Sequence, residues 1–170
     1  MPGTSALNSI PTKILAPIDF SPSSHAALEM AADLALHFHA ELHLVHVIPV
    51  FSSSTLPDFV PEAKFLEEAR KDAEKHFAAC KADLAGRGIK LSFTIEEGND
   101  VAGNIMDVID NEKIDMVVIS THGITGWHPL VFGSIAEKVV KLAQCPLMLL
   151  HSRKPESSAK VKSERLMEWW

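Results

Sequence analysis

The stretch KILAPIDFSPSSHAALEMAADLALHFHAELHLVHVI, Lys13 to Ile48, sets the fold. Its first part, the run from Thr12 to Asp19, is short and apolar with turn chemistry directly behind it, as expected of a strand buried on both faces. Ser21-Pro22 then places a favoured N-cap residue before proline at the first helical position. Ala27, Met30, Ala31, Leu34 and Phe38 recur at helical spacing, which predicts one amphipathic helix. Leu42 to Ile48, LHLVHVI, reads as a second strand.

The same alternation continues outward. Pro49 to Pro61 is a long connection containing FSSSTLP, of a size that often covers a site. A charged amphipathic helix is expected from about Glu62 to Leu84, ended by Gly86 and Gly88. Ile89 to Ile95 is a third strand, Val101 to Glu112 a third helix and Asp115 to Ile119 a fourth strand. A glycine-rich connection follows, then a helix from Ser134 to about Leu142, and Cys145-Pro146 leads into the fifth strand, LMLLH. Strands alternating with helices of this length require right-handed crossovers and a parallel sheet covered on both sides. The fold class is therefore doubly wound α/β with five strands. Residues 1–151 are expected to form one domain, and 152–170, ending Leu166-Met167-Glu168-Trp169-Trp170, a mobile tail or a short docking helix.

Composition narrows the function. A chain of 170 residues suits one domain with a real core. Its net charge of -6 argues against gripping a nucleic-acid backbone, which needs a basic surface to release counterions. The start MPGTSALNSIPTK lacks the pattern of a secretory signal, and no apolar run approaches bilayer length, so a cytoplasmic protein without a membrane partner is expected. Cys80 and Cys145 have no metal-like spacing and read as reduced structural thiols. His37, His39, His43 and His46 lie close in sequence, but no carboxylate or cysteine completes a metal set around them. No metal site is assigned.

The chemistry concentrates in STHGITGWHPLVFGSIAEKVV, Ser120 to Val140. This connection leaves the carboxyl end of the fourth strand, where open α/β sheets bind ligands. Gly123 and Gly126 can take positive φ and approach a ligand closely. Gly133-Ser134 opens a helix, whose first N–H groups and positive dipole end attract an anion. A purely structural account stands beside this one: Ser134 followed by Glu137 is a capping box, in which the helix satisfies its own first N–H groups. Local chemistry leaves the two even. No Walker lysine follows Gly133, and the first strand–helix turn, Asp19-Phe20-Ser21-Pro22, is not a dinucleotide fingerprint. Any phosphate would be held by backbone amides and hydroxyls.

The order THGITG, a gap, FGSIAEKVV and CPLMLLH, together with the opening KILAPIDFSPSS, resembles the universal stress protein family across residues 12 to 151. The nucleotide-binding branch of that family carries glycine, two residues, glycine, nine residues, glycine and then serine or threonine. Gly123 and Gly133 bracket residues 124–132, and Ser134 completes the end. The first glycine falls on Ser120, so three of the four defining positions match.

The resemblance implies a strand order of 3-2-1-4-5, with its reversal between the first and fourth strands, and helices on both faces. It also implies an ATP site. Pro17, Ile18 and Asp19 would line adenine and ribose, Val47 would close the adenine pocket, and Ile119 and Ser120 would face them. His122, Gly123, Gly126, Gly133, Ser134 and Ile135 would surround the phosphates, with Ser21 near a phosphate or its magnesium ion. Asp19 can equally cap its turn, and Val47 and Ile119 can equally be core. The fifth strand, Pro146 to Leu150, would build a homodimer by edge pairing.

The expected function is an ATP-binding stress-response protein, a dimeric nucleotide-dependent switch or docking module for an unidentified protein partner. No positioned nucleophile and base are legible, so no catalytic residue is assigned and efficient turnover is not expected; slow hydrolysis or self-phosphorylation at Ser134 or a neighbouring hydroxyl stays open. The alternative is a family member that binds no nucleotide and acts as an interaction scaffold, for which Ser120 is the main support.

Overall fold

The computed structural model describes residues 10–50, 62–121 and 133–151. Nine elements follow one another: β1 (Lys13–Pro17), α1 (Pro22–Phe38), β2 (Glu41–Pro49), α2 (Glu62–Leu84), β3 (Leu91–Gly98), α3 (Val101–Asn111), β4 (Met116–Ser120), α4 (Ser134–Leu142) and β5 (Leu147–Leu150). The five strands form one sheet in the order β3-β2-β1-β4-β5, every pairing parallel. The doubly wound architecture and the strand order expected from the sequence are both present.

Side chains of a strand alternate between the two faces of the sheet, and here both faces are covered. Ile14, Ala16, Leu42, Leu44 and Val118 pack with Ala27, Leu28, Ala31 of α1 and Phe77, Cys80, Leu84 of α2. Leu15, Val45, Val47, Val117 and Ile119 pack with Ile105, Val108, Ile109 of α3 and Ala136, Val139 of α4. This two-sided burial is why β1, β2 and β4 read as nearly unbroken apolar runs.

Local chemistry fixes the element ends. Ser21 caps α1, its hydroxyl accepting the Ser24 N–H at 3.2 Å, with Pro22 at the first position. α1 stops at His39, which takes a left-handed φ of 57°, while the Ala40 N–H closes back on the Ala35 carbonyl at 2.8 Å. This is the Schellman arrangement with histidine where glycine is usual. After α2, Gly86 and Gly88 take φ of +89° and +74°, a conformation glycine adopts without steric cost. β3 begins at Leu91 and runs on to Gly98, two residues later at its start than the apolar run suggests and three longer at its end. Cys80 and Cys145 are free thiols, both pushed up from the usual range chiefly by burial. No described helix is long and apolar enough to cross a membrane.

Candidate functional site

The order of strands reverses between β1 and β4. Chains leaving two such strands diverge to opposite faces and open a crevice at their carboxyl ends. A cleft of about 320 Å³ lies there. Pro17, Ile18 and Asp19 line it from the end of β1, Val45, His46, Val47 and Pro49 from β2, and Ile119, Ser120 and Thr121 from the end of β4. Val101 and Ile105 of α3 add an apolar side, and Gly133, Ser134, Ile135 and Ala136 close one end with the start of α4.

Pro17, Ile18, Asp19, Val47, Ile119, Ser120, Gly133, Ser134 and Ile135, drawn from four separate parts of the sequence, are thus brought together. Ser21 is not in the lining; its hydroxyl caps α1, and Ser24, which donates to the Ser21 carbonyl at 3.0 Å, lies in the wall instead. His122, Gly123 and Gly126 fall outside the described residues. Val45 was legible in principle, two positions before Val47 on the same strand face. Val101 and Ile105 carried no signal, because only the packing of α3 beside β2 brings them to the cleft.

The start of α4 differs from its sequence reading. Gly133, not Ser134, is the N-cap, and among the described residues no side chain caps it. Glu137 turns to Lys141, one helical turn on, at 2.6 Å, and this ion pair holds its carboxyl below the usual range. The capping box that Ser134 and Glu137 offered as the purely structural alternative is therefore not formed. Serine sits one residue too late, and an exposed i,i+4 partner takes the glutamate. The first intrahelical bond runs from Glu137 N–H to the Gly133 carbonyl. The N–H groups of Ser134, Ile135 and Ala136 consequently have no intrahelical acceptor, and all three residues line the cleft.

Gly133 owes its identity to crowding rather than to backbone freedom. Its φ is -59°, open to any residue. Its N–H donates to the Thr121 carbonyl at 2.8 Å, pinning the chain that leaves β4 to the chain that enters α4. A Cβ there would lie 3.3 Å from that carbonyl oxygen. Ser120, where the family motif has glycine, also has no positive φ; among described non-glycine residues only Phe20, His39 and Lys113 do. Serine is accommodated in β4 without backbone strain.

On the β1 side, Asp19 Oδ1 accepts the Ser21 N–H at 3.0 Å, so the carboxylate does close its own turn while also lining the cleft. Among the described residues of the lining it is the one carboxylate. His46 donates from Nδ1 to the Ile18 carbonyl at 2.8 Å, since a carbonyl only accepts, and burial pushes its pKa down, so the ring is neutral near pH 7. His43 is held neutral in the same way, chiefly by burial, between the hydroxyls of Ser92 at 2.8 Å and Thr94 at 2.9 Å. Among the described residues, no group of three or more His, Cys, Asp or Glu is placed to hold a metal ion. The arrangement offers an apolar slot for a flat ring and a cluster of N–H donors for an anion.

Residues 11–151 match the Universal stress protein family. Universal stress protein YxiE of Bacillus subtilis is 30% identical over 146 residues, covering 81% of this chain and 97% of that protein. Among solved structures, the protein MJ0577 of Methanocaldococcus jannaschii superposes with a TM-score of 0.75 at 24% identity, covering 86% of this chain and all of that one. The universal stress protein from Archaeoglobus fulgidus in complex with dAMP superposes at 0.58 and 20% identity, covering 83% and 98%. At such identities the two structures speak to the fold, while the match across the whole of the described core settles the family: the chain belongs to the universal stress proteins.

Proposed function

We propose that this protein binds an adenine nucleotide in the cleft between β1 and β4 and works as a dimeric, nucleotide-dependent switch or docking module in the cytoplasm. The observation that carries the reading is the uncapped start of α4 facing an apolar slot at the topological switch point. Backbone N–H groups at a helix start favour phosphate, and Val45, Val47 and Ile105 offer a wall for a purine. The dAMP complex of the Archaeoglobus fulgidus relative supports adenine as the base. ATP is the nucleotide implied by the resemblance of Gly123, Gly133 and Ser134 to the family's glycine motif; a magnesium ion accompanying it would be held by phosphate oxygens. Binding rather than turnover is the proposed role, with self-phosphorylation at Ser134 as a slow side reaction.

Dimerisation is proposed through β5, which lies at the sheet edge with Leu149 partly exposed. Leu149→Lys should then shift sedimentation from dimer to monomer. Residues 152–170 are proposed as a tail, in keeping with a family match that ends at residue 151.

The test is a melting scan with ATP, ADP and AMP on protein purified without nucleotide. A ligand specific for the folded state, at a hundredfold excess over its Kd, adds about 2.7 kcal/mol of stability. A shift with at least one of the three is expected; flat scans with all three would reject the reading. The second reading, a scaffold that binds no nucleotide, is favoured by Ser120 in place of the motif's first glycine, and flat scans with an intact dimer would support it.

A further inference from the structure

The turn between β1 and α1 contains a bulky residue in a conformation that bulky residues avoid. Phe20 has a φ of 61°, in the left-handed region that glycine and asparagine enter far more readily. Such strain survives only where the surroundings over-determine it, and it gathers at functional positions. The surroundings here are four rings. Phe20 lies 4.5 Å from His46, tilted at 38°, and 4.5 Å from His76 of α2, stacked at 22°. Phe77 meets it edge-on at 5.6 Å and is itself stacked on Phe93 of β3 at 4.7 Å. His46 also ties back to the turn through its hydrogen bond to the Ile18 carbonyl.

The residues just before Phe20 are Ile18 and Asp19, both in the cleft wall, and Asp19 is locked to the Ser21 N–H. Ile18 extends the β1–β2 pairing through its N–H to the Val45 carbonyl at 2.8 Å. From the α2 side of the sheet Phe20 is held by His76 and Phe77, and Ile18 is buried in the same core cluster as Phe77. If the ring let go, the turn could relax toward ordinary φ, and rotation at Phe20 would swing the Asp19 carboxylate relative to Ser21.

We propose that Phe20 is a positioning residue of the cleft: clamped between His46 and His76, its ring holds the strained turn that presents Ile18 and Asp19 to the ligand, and so links ligand affinity to α2. The inference rests on the nucleotide reading above. It predicts that residues absent from the lining alter affinity. His76 is half-exposed on α2 and outside the lining, so His76→Ala leaves the fold and the cleft surface intact.

The experiment is calorimetric titration of the full chain with AMP, and with ATP and magnesium, at a temperature well below melting, with circular dichroism confirming each fold. Phe20→Gly, which suits a positive φ but removes the ring, should weaken binding about tenfold, the size of one strained torsion. His76→Ala should weaken it about threefold. Phe20→Tyr, which keeps the ring, should stay within about twofold of the parent. Melting temperature should follow a different order, because glycine relieves the strain that phenylalanine carries. If Phe20→Gly and His76→Ala both bind with the parent's affinity, Phe20 is a core residue only and the proposal fails. If the parent itself binds neither nucleotide, the nucleotide reading fails and the proposal with it.

Discussion

Helices α1 and α4 both begin at the carboxyl edge of the sheet, beside the same crevice, and they begin in opposite ways. α1 satisfies itself: Ser21 supplies an oxygen to the Ser24 N–H, and Pro22 removes a donor that would otherwise need a partner. α4 does not: its cap is Gly133, its serine sits one residue too late, and its glutamate pairs outward with Lys141. Of the two, the helix without a side-chain cap of its own lines the cleft with Ser134, Ile135 and Ala136 in succession, whereas α1 contributes Ser24 alone. A helix start that lacks its own acceptors is a place where an outside anion gains most.

The largest expected effect breaks the α4 side. Gly133→Val places branched carbon against the Thr121 carbonyl, where even a Cβ lies at 3.3 Å. It should abolish the nucleotide-induced rise in melting temperature, a loss of about 2.7 kcal/mol at hundredfold excess. Scanning calorimetry with and without nucleotide checks this; an unchanged rise would mean that α4 does not hold the ligand.

Acid addresses two histidines of β2. His43 and His46 both have pKa values pushed down by burial. The folded chain therefore resists protonation that the unfolded chain accepts. Their contribution is whole above the ordinary histidine value of about 6.5 and is lost as pH falls from there through the lowered folded values. Urea midpoints should decline as pH falls below about 6.5, and His43→Gln should flatten that decline. A midpoint that rises on acidification would contradict the assignment.

Smaller effects separate the two helix starts. Ser21→Ala should cost about 1 kcal/mol of stability through the lost cap while leaving nucleotide affinity within about twofold, because Ser21 is not in the lining. A large loss of affinity would instead return Ser21 to the phosphate site. Ser120→Gly should change affinity least, by under about twofold, since Ser120 carries no backbone strain for glycine to relieve. Titration calorimetry on the two variants measures both.

The contrast between these helix starts also marks where sequence reading works. Ser21-Pro22 is a signal carried by adjacent residues and depends on nothing distant, so the α1 cap was legible. Gly86 and Gly88 were legible for the same reason. Ser134 and Glu137 have the right spacing for a capping box, yet which residue caps α4 is decided by the Gly133–Thr121 hydrogen bond, a contact with the end of β4. Phe20 and His39 hold left-handed conformations that their types disfavour, imposed by ring packing in one case and by the closing bond to Ala35 in the other. Pro17, Ile18, Asp19, Val47, Ile119 and Ser120 of the cleft were reached through family resemblance, whereas Val45, His46 and Pro49 of β2 and Thr121 were not; those on α3 belong to tertiary packing and had no local signature.

The most direct measurement is a titration followed by the backbone amide resonances of Ser134, Ile135 and Ala136. On addition of an adenine nucleotide these three should shift together and saturate at the Kd found by calorimetry. Saturable binding that leaves all three unmoved would place the phosphate elsewhere and contradict the account.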